Sequence, residues 1–280
     1  MPGTPTATHP HKNLVTTTIS SVQSNASNPR LWTEVRGHGT RVVLLHGFTQ
    51  AGASWNTVLQ ACTEHNFEAV LPDLPGHGHS AATVIELNAT AEVLANSYGP
   101  AIYVGYSMGG RVALHVALRY PQMVRGLLLF GATPGLETES ERSQRREDDE
   151  ILARDLEATN VPAFLERWLS SPLFATLPHD PHDLRLRQQN TVEGLASSLR
   201  LSGTGSQASL WNSLDTICAP TIVATGDRDE KFTSIGKAMS VCIGSNAAFL
   251  AIDDAGHACH LEQPQAAADL LTKLLQQIEQ

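Results

Sequence analysis

The sequence predicts an α/β protein: a mostly parallel, doubly wound sheet with helices on both faces and an inserted helical segment. Three observations predict it. Continuous β-branched and leucine runs, such as Arg41-Val42-Val43-Leu44-Leu45 and Arg125-Gly126-Leu127-Leu128-Leu129-Phe130, fit strands buried on both faces, as interior parallel strands are. These runs alternate with helical stretches, and that alternation implies right-handed crossovers between parallel strands. After Thr133-Pro134-Gly135 a stretch of about eighty residues shows no strand pattern until Cys218, which is too long for a plain connection.

Taken in order, residues 1–28 are rich in Thr, Ser, Pro, His and Asn and lack the apolar core of a secretory signal, so a disordered or loosely attached extension is expected there. Leu31 to Val35 reads as a half-buried edge strand and Arg36-Gly37-His38-Gly39 as a turn. The strand Arg41–Leu45 ends in His46-Gly47-Phe48-Thr49-Gln50. Ser54 to Cys62 reads as a helix, Glu68 to Leu71 as a strand, Asp73 to Ser80 as a glycine-rich loop and Leu87 to Asn96 as a helix. Ala101 to Val104 is the next strand, Ser107 to Tyr120 a helix halted by Pro121, and Arg125 to Phe130 a strand. Helical segments follow at 139–150, at 164–169 and around Arg185 and Leu195. The sheet resumes at Pro220 to Thr225 and Ala247 to Ile252, and a helix over Gln265 to Glu279 closes the chain. The predicted organisation is therefore a core of residues 29–132 and 216–280, with 133–215 inserted as a helical lid over the carboxyl ends of the strands.

Composition narrows the partners. The 280 residues hold 19 Lys+Arg against 28 Asp+Glu, a net charge of -9, which disfavours nucleic acid and anionic membrane surfaces. No run approaches the ~18 apolar residues of a membrane span, so no integral membrane contact is expected. Cys62, Cys218, Cys242 and Cys259 are scattered among apolar or small residues and are expected to be buried free thiols. A cytoplasmic protein acting on a small molecule, as a monomer or weak homo-oligomer, is the expectation.

The chemistry gathers where strands end. Gly105-Tyr106-Ser107-Met108-Gly109 fits G-x-S-x-G, in which a sharp strand-to-helix turn holds a serine in a strained backbone above the sheet. A serine at its free pKa is a poor nucleophile or base, so Ser107 needs a histidine that a carboxylate holds in the right tautomer. The chain order serine, acid, histidine is met by loops after the last two strands. Spacing leaves both Asp227 and Asp229 open as the acid, while His257, directly after Gly256, is preferred over His260. The backbone N–H groups of Phe48 and Met108 are placed to form an oxyanion hole. No histidine or cysteine group has the spacing of a closed zinc site and no G-x-G-x-x-G follows the first strand, so neither metal nor cofactor is expected. The charge run Glu139 to Glu150 is expected to be mostly a solvated helix face.

Together these motifs resemble the α/β-hydrolase superfamily over residues 30–280. Gly105 to Arg111, Pro134-Gly135-Leu136-Glu137 with the Glu/Arg-rich helix after it, and Trp168 with Pro172-Leu173-Phe174-Ala175 resemble a menaquinone-pathway family, the 2-succinyl-6-hydroxy-2,4-cyclohexadiene-1-carboxylate synthases. Gly226 to Phe232 and Ala255 to His260 extend the match. The resemblance implies a cofactor-free lyase that eliminates pyruvate from 2-succinyl-5-enolpyruvyl-6-hydroxy-3-cyclohexene-1-carboxylate, with Ser107 as general base and Asp229 as the acid. It also implies that Arg111 and Arg145, with Arg187 as a third, hold the carboxylates of a polycarboxylate substrate, and that Tyr106 and Trp168 line the pocket. Arg111 lies one helical turn after Ser107 and so can project near it. Among Arg142, Arg145 and Arg146 only the resemblance chooses. The triad motifs alone are shared by other chemistries, and the alternative is a carboxylic-ester hydrolase acting through an acyl-Ser107 intermediate.

Overall fold

The computed structural model describes residues 18–20, 29–62 and 66–279 and builds one eight-stranded sheet from them. Its strands are β1 (Thr18–Ser20), β2 (Thr33–Gly37), β3 (Thr40–Leu45), β4 (Phe67–Pro72), β5 (Ala101–Tyr106), β6 (Val124–Phe130), β7 (Thr221–Gly226) and β8 (Ala247–Ile252). They lie in the order β1-β2-β4-β3-β5-β6-β7-β8. β2 pairs antiparallel with both β1 and β4, and every later pair is parallel. Thr18–Ser20 falls in the stretch read from sequence as an extension; it pairs with β2, Thr18 opposite Val35, and the other residues of 1–28 lie outside the described residues.

The apolar runs are explained by burial on two faces. Val43, Leu45, Tyr103, Leu127, Leu129 and Val223 point into one core, with α2 (Leu87–Tyr98), α3 (Met108–Arg119) and α8 (Glu230–Ile243) packed over them. Val42, Leu44, Ile102, Val104, Leu128, Phe130 and Ile222 point into the other, covered by α1 (Asn56–Ala61) and α10 (Pro264–Glu279). Consecutive residues of one strand thus serve opposite faces, and neither face can accept a polar residue.

Between β6 and β7 the chain forms α4 (Glu139–Ala158), α5 (Val161–Leu169), α6 (Pro181–Arg187) and α7 (Val192–Ser202). Each begins at a side chain that accepts from an otherwise unpaired helix N–H: Thr138, Asn160, Asp180 and Thr191. This segment has its own cluster of buried residues, including Ala153, Leu156, Phe164, Leu165, Leu195 and Leu199. That cluster accounts for a difference from the sequence reading: α4 runs eight residues beyond Glu150, because Ala153 and Leu156 continue its buried stripe. Outward, Arg200 pairs with Glu150 and Glu157, and Arg154 with Glu150, as a solvated face would. A short helix, α9 (Cys259–Glu262), precedes α10.

The helix read at Ser54 to Cys62 is a 3-10 turn, Gly52–Trp55, followed by α1; the Gly52 N–H donates to the buried Asp73 carboxylate at 2.8 Å and pins the turn. The four cysteines are free, as expected, but the expectation of burial fails for Cys218 and Cys242, which are exposed. Among the described residues no helix is long and apolar enough to cross a membrane.

Candidate active site

All parallel strands deliver their carboxyl ends to one edge of the sheet, so the loops after β3, β5, β7 and β8 converge there. At the end of β5 the backbone of Ser107 adopts φ 49° and ψ -106°, a region a non-glycine residue occupies at a cost of about 1–3 kcal/mol. Two backbone hydrogen bonds hold it: the Ser107 N–H donates to Phe130 O at 2.9 Å and its carbonyl accepts from Arg111 N–H at 3.0 Å. The flanking glycines are close-approach positions. A Cβ on Gly105 would lie 2.5 Å from Gly109 O, and one on Gly109 would lie 2.1 Å from Leu45 O.

The Ser107 hydroxyl lies 3.2 Å from His257 Nε2, and His257 Nδ1 lies 2.8 Å from Asp229 Oδ2. An ionised carboxylate only accepts, so Nδ1 carries the imidazole proton and Nε2 is left free to accept from the serine. Asp229 does a second job with its other oxygen: Oδ1 accepts from Phe232 N–H at 3.1 Å and caps α8. Of the alternatives that spacing left open, Asp227 instead accepts from Ala255 N–H at 3.3 Å and ties the acid loop to the histidine loop. His260 is wholly buried, its ring 4.2 Å from that of Tyr106 and 4.8 Å from that of Trp55, and burial drives its pKa well down.

Phe48, Met108, Ser107 and His257 border one cavity of about 150 Å³. The Met108 N–H is the first of α3, where the helix supplies no acceptor. Phe48 is set by its neighbours: Thr49, at φ 69°, is held through its carbonyl by Asn190 Nδ2 at 2.7 Å and through its hydroxyl by Arg187. Below it, His46 and His77 are buried and neutral. The Leu74 N–H donates to His46 Nε2 at 2.9 Å and the Thr49 N–H to His77 Nε2 at 3.2 Å. Burial lowers both pKa values, that of His77 to about 4.

The residues expected around the substrate, Tyr106, Arg111, Arg145, Trp168 and Arg187, all border the same cavity. Arg111 is buried, donating to Gln207 Oε1 at 3.0 Å and Ser202 O at 2.6 Å; burial lowers its pKa to about 10, which leaves it charged at neutral pH. Arg145 Nε donates to the buried Asp149 at 2.8 Å, whereas Arg142 and Arg146 turn to Glu139 and backbone carbonyls outside the cavity. Arg187 is the least exposed of the three, its Nε on Asp183 at 2.6 Å. Trp168 joins Phe48 and Phe174 in an aromatic wall, with ring centroids 5.4 and 5.7 Å away, and Phe232 packs on His257 at 4.3 Å. The cavity lining is thus both aromatic and cationic. Among the described residues no three His, Cys, Asp or Glu side chains are grouped to hold a metal ion.

Sequence reasoning missed Asp149, Asn190, Gln207 and Lys231, the last of which also lines the cavity. Asn190 meets Thr49 across 141 residues of chain, and no local pattern announces such a pairing. Lys231 lies within Gly226 to Phe232 and carries a readable signal, a cation in the first turn of a helix, where the macrodipole opposes it.

The profile of the alpha/beta hydrolase family matches residues 42–270. A Bacillus subtilis protein that carries the name 2-succinyl-6-hydroxy-2,4-cyclohexadiene-1-carboxylate synthase provisionally is 33% identical over 85% of this chain and 90% of its own length. The Salmonella schwarzengrund protein of that name is 31% identical over 84% of this chain and 93% of its own. The solved structure of MenH from S. aureus superposes with a TM-score of 0.82 at 27% identity, covering 89% of this chain and 99% of that one. By fold, profile and these likenesses, the chain belongs to the alpha/beta hydrolase family and, within it, to the 2-succinyl-6-hydroxy-2,4-cyclohexadiene-1-carboxylate synthases.

Proposed function

We propose that the protein is a carbon–oxygen lyase of menaquinone biosynthesis. It eliminates pyruvate from 2-succinyl-5-enolpyruvyl-6-hydroxy-3-cyclohexene-1-carboxylate, with Ser107 as general base in a triad with His257 and Asp229. The observation that carries the reading is that Arg111, Arg145 and Arg187 border the cavity into which Ser107 opens, since the substrate bears three carboxylates. Helices α4 to α7 act as the lid that supplies Arg145, Trp168 and Arg187.

The substrate's connectivity dictates the step. Its C2–H is α to the succinyl carbonyl and allylic to the ring double bond, so it is the acidic proton. His257 Nε2 takes the Ser107 proton as the serine oxygen removes that from C2. The electron pair enters the carbonyl as an enolate, then returns to form C2=C3; C3=C4 shifts to C4=C5, and the C5–O bond breaks. The leaving group departs as pyruvate enolate and is protonated on carbon. The N–H groups of Phe48 and Met108 stabilise the enolate oxygen, and a donor so placed contributes about 10²–10³ in rate. Asp229 keeps His257 in the accepting tautomer and stabilises the imidazolium. The aromatic wall of Phe48, Trp168 and Phe174 favours the second reading, an esterase that acylates Ser107.

The test is pyruvate release from the pathway substrate, followed by coupled oxidation of NADH by lactate dehydrogenase, for the wild type and Ser107→Ala. Release that depends on Ser107 is expected. Absence of release at micromolar enzyme refutes the lyase reading.

A further inference from the structure

The cavity wall carries four cations, Arg111, Arg145, Arg187 and Lys231, against a single carboxylate, Asp149. Ion pairing divides them. Arg187 pairs with Asp183, while Asp149 binds Arg145 directly and also attracts the neighbouring Arg111, so those two arginines share one carboxylate. Arg111 spends its two hydrogen bonds on neutral groups, Gln207 and Ser202 O. Lys231 makes no ion pair among the described residues, its Nζ lying 5.8 Å from the centroid of the Phe232 ring. One positive charge is thus left over on the Arg111–Arg145 pair, where Arg111 sits one turn after Ser107 on α3, and a second on Lys231, two residues after Asp229 on α8.

The two points differ in kind. Arg111 is buried and fixed inside the cavity, whereas Lys231 is exposed and keeps the rotamer freedom of a long ammonium side chain. Its place in the sequence runs against helix electrostatics, for the first turn of α8 is the positive end of the macrodipole and suits Asp229 and Glu230, not a lysine. A lysine wanted only for solvation is better placed on any later turn. What this position supplies instead is an ammonium beside Phe232, whose ring packs on His257.

We propose that Lys231 is a substrate-binding residue that pairs with Arg111 to select molecules bearing two or more separated carboxylates. The inference deepens the lyase reading and rests on it only for the identity of the substrate. In use, the fixed guanidinium receives one carboxylate and the mobile ammonium closes on a second, so that a dianion gains from both charges and a monoanion from one.

The test compares full-length wild type, Lys231→Gln and Lys231→Arg, and Lys231 is exposed enough for each to fold. On the pathway substrate, Lys231→Gln is expected to raise KM by about tenfold with a much smaller fall in kcat, and Lys231→Arg to recover most of the loss. The salt dependence of kcat/KM should weaken in Lys231→Gln. The loss on the tricarboxylate should exceed that on neutral p-nitrophenyl acetate by at least about fivefold. A second arm needs no turnover: calorimetry with succinate and with acetate. Wild type should bind succinate more tightly than acetate, and Lys231→Gln should lose about tenfold of succinate affinity alone. If pyruvate is not released but the calorimetric contrast holds, the lyase reading falls and the role of Lys231 stands. Equal KM and equal succinate affinity in wild type and Lys231→Gln, or no preference of wild type for succinate over acetate, overturns the proposal.

Discussion

Asp229 is the residue at which stability and activity separate most cleanly, because its two oxygens serve different partners. Oδ1 caps α8 through Phe232 N–H at 3.1 Å, and Oδ2 receives His257 Nδ1–H at 2.8 Å. Asparagine is as good a cap as aspartate, so Asp229→Asn should leave the helix start intact and move Tm by ~1 °C or less. Its amide, however, presents N–H to Nδ1, which turns the imidazole into the tautomer with the proton on Nε2. That nitrogen then cannot accept from Ser107, and the turnover number should fall about 10⁴-fold, whether the serine acts as base or as nucleophile. Asp229→Ala removes the cap as well, about 1 kcal/mol, and should lower Tm by about 2 °C in a protein of this size. The assay is pyruvate release or p-nitrophenyl ester cleavage beside differential scanning calorimetry on the same preparations. Asp229→Asn with more than about a tenth of wild-type activity would rule out this role for Asp229. So would an equal loss in Asp227→Asn at unchanged Tm, since Asp227 only joins the loops through Ala255.

Other consequences follow from single contacts. Arg111 has five N–H donors and gives two of them to Gln207 and Ser202, so three remain for a carboxylate; Arg111→Ala should lower kcat/KM for the tricarboxylate by about 10–150-fold, at least about tenfold more than for p-nitrophenyl acetate, and equal losses on both contradict its role. Gly109→Ala puts a methyl group 2.1 Å from the Leu45 carbonyl, which is backbone of β3 and cannot turn aside, so urea unfolding should show a loss of about 3 kcal/mol or more; a soluble variant with an unshifted midpoint speaks against the close packing of α3 on β3. His77 is buried neutral with its pKa lowered to about 4, so between pH 6.5 and 4 the unfolded chain binds a proton that the folded chain refuses. Stability should therefore be full above pH 6.5 and fall as the pH drops, by about 3 kcal/mol at pH 4 from this residue alone, with a shallower slope in His77→Gln; a urea midpoint that does not move between pH 7 and 5 contradicts it.

The sheet was legible because its signal is local. Val42 to Leu45 alternate between two cores, and a strand buried on both faces has no choice but an unbroken apolar run. The elbow was legible for the same reason, since Gly105 and Gly109 are demanded by contacts within the turn and with β3 beside it. The acid was not. Asp227 and Asp229 follow the same strand, and what separates them is the direction each side chain takes, one toward Ala255 and one toward His257. The length of α4 was missed because the charged stretch ending at Glu150 hides the apolar stripe that Ala153 and Leu156 continue. Least legible was the support of the site. Thr49 is held by Arg187 and Asn190 from far along the chain; the resemblance places Arg187 at the substrate, but nothing in the sequence joins either residue to Thr49. Arg145 was singled out from Arg142 and Arg146 by resemblance, and the physical reason emerges only in three dimensions, where it alone of the three borders the cavity beside Asp149.

In the proposed reaction Ser107 acts as a base and is never acylated. The decisive measurement is intact-protein mass spectrometry on acid-quenched turnover mixtures in which pyruvate and cyclohexadiene product are counted together. One pyruvate per product formed and an unmodified protein mass at every time point are expected. A transient mass increase on Ser107 equal to an acyl group, appearing before product or without pyruvate, contradicts the role of Ser107 as a base.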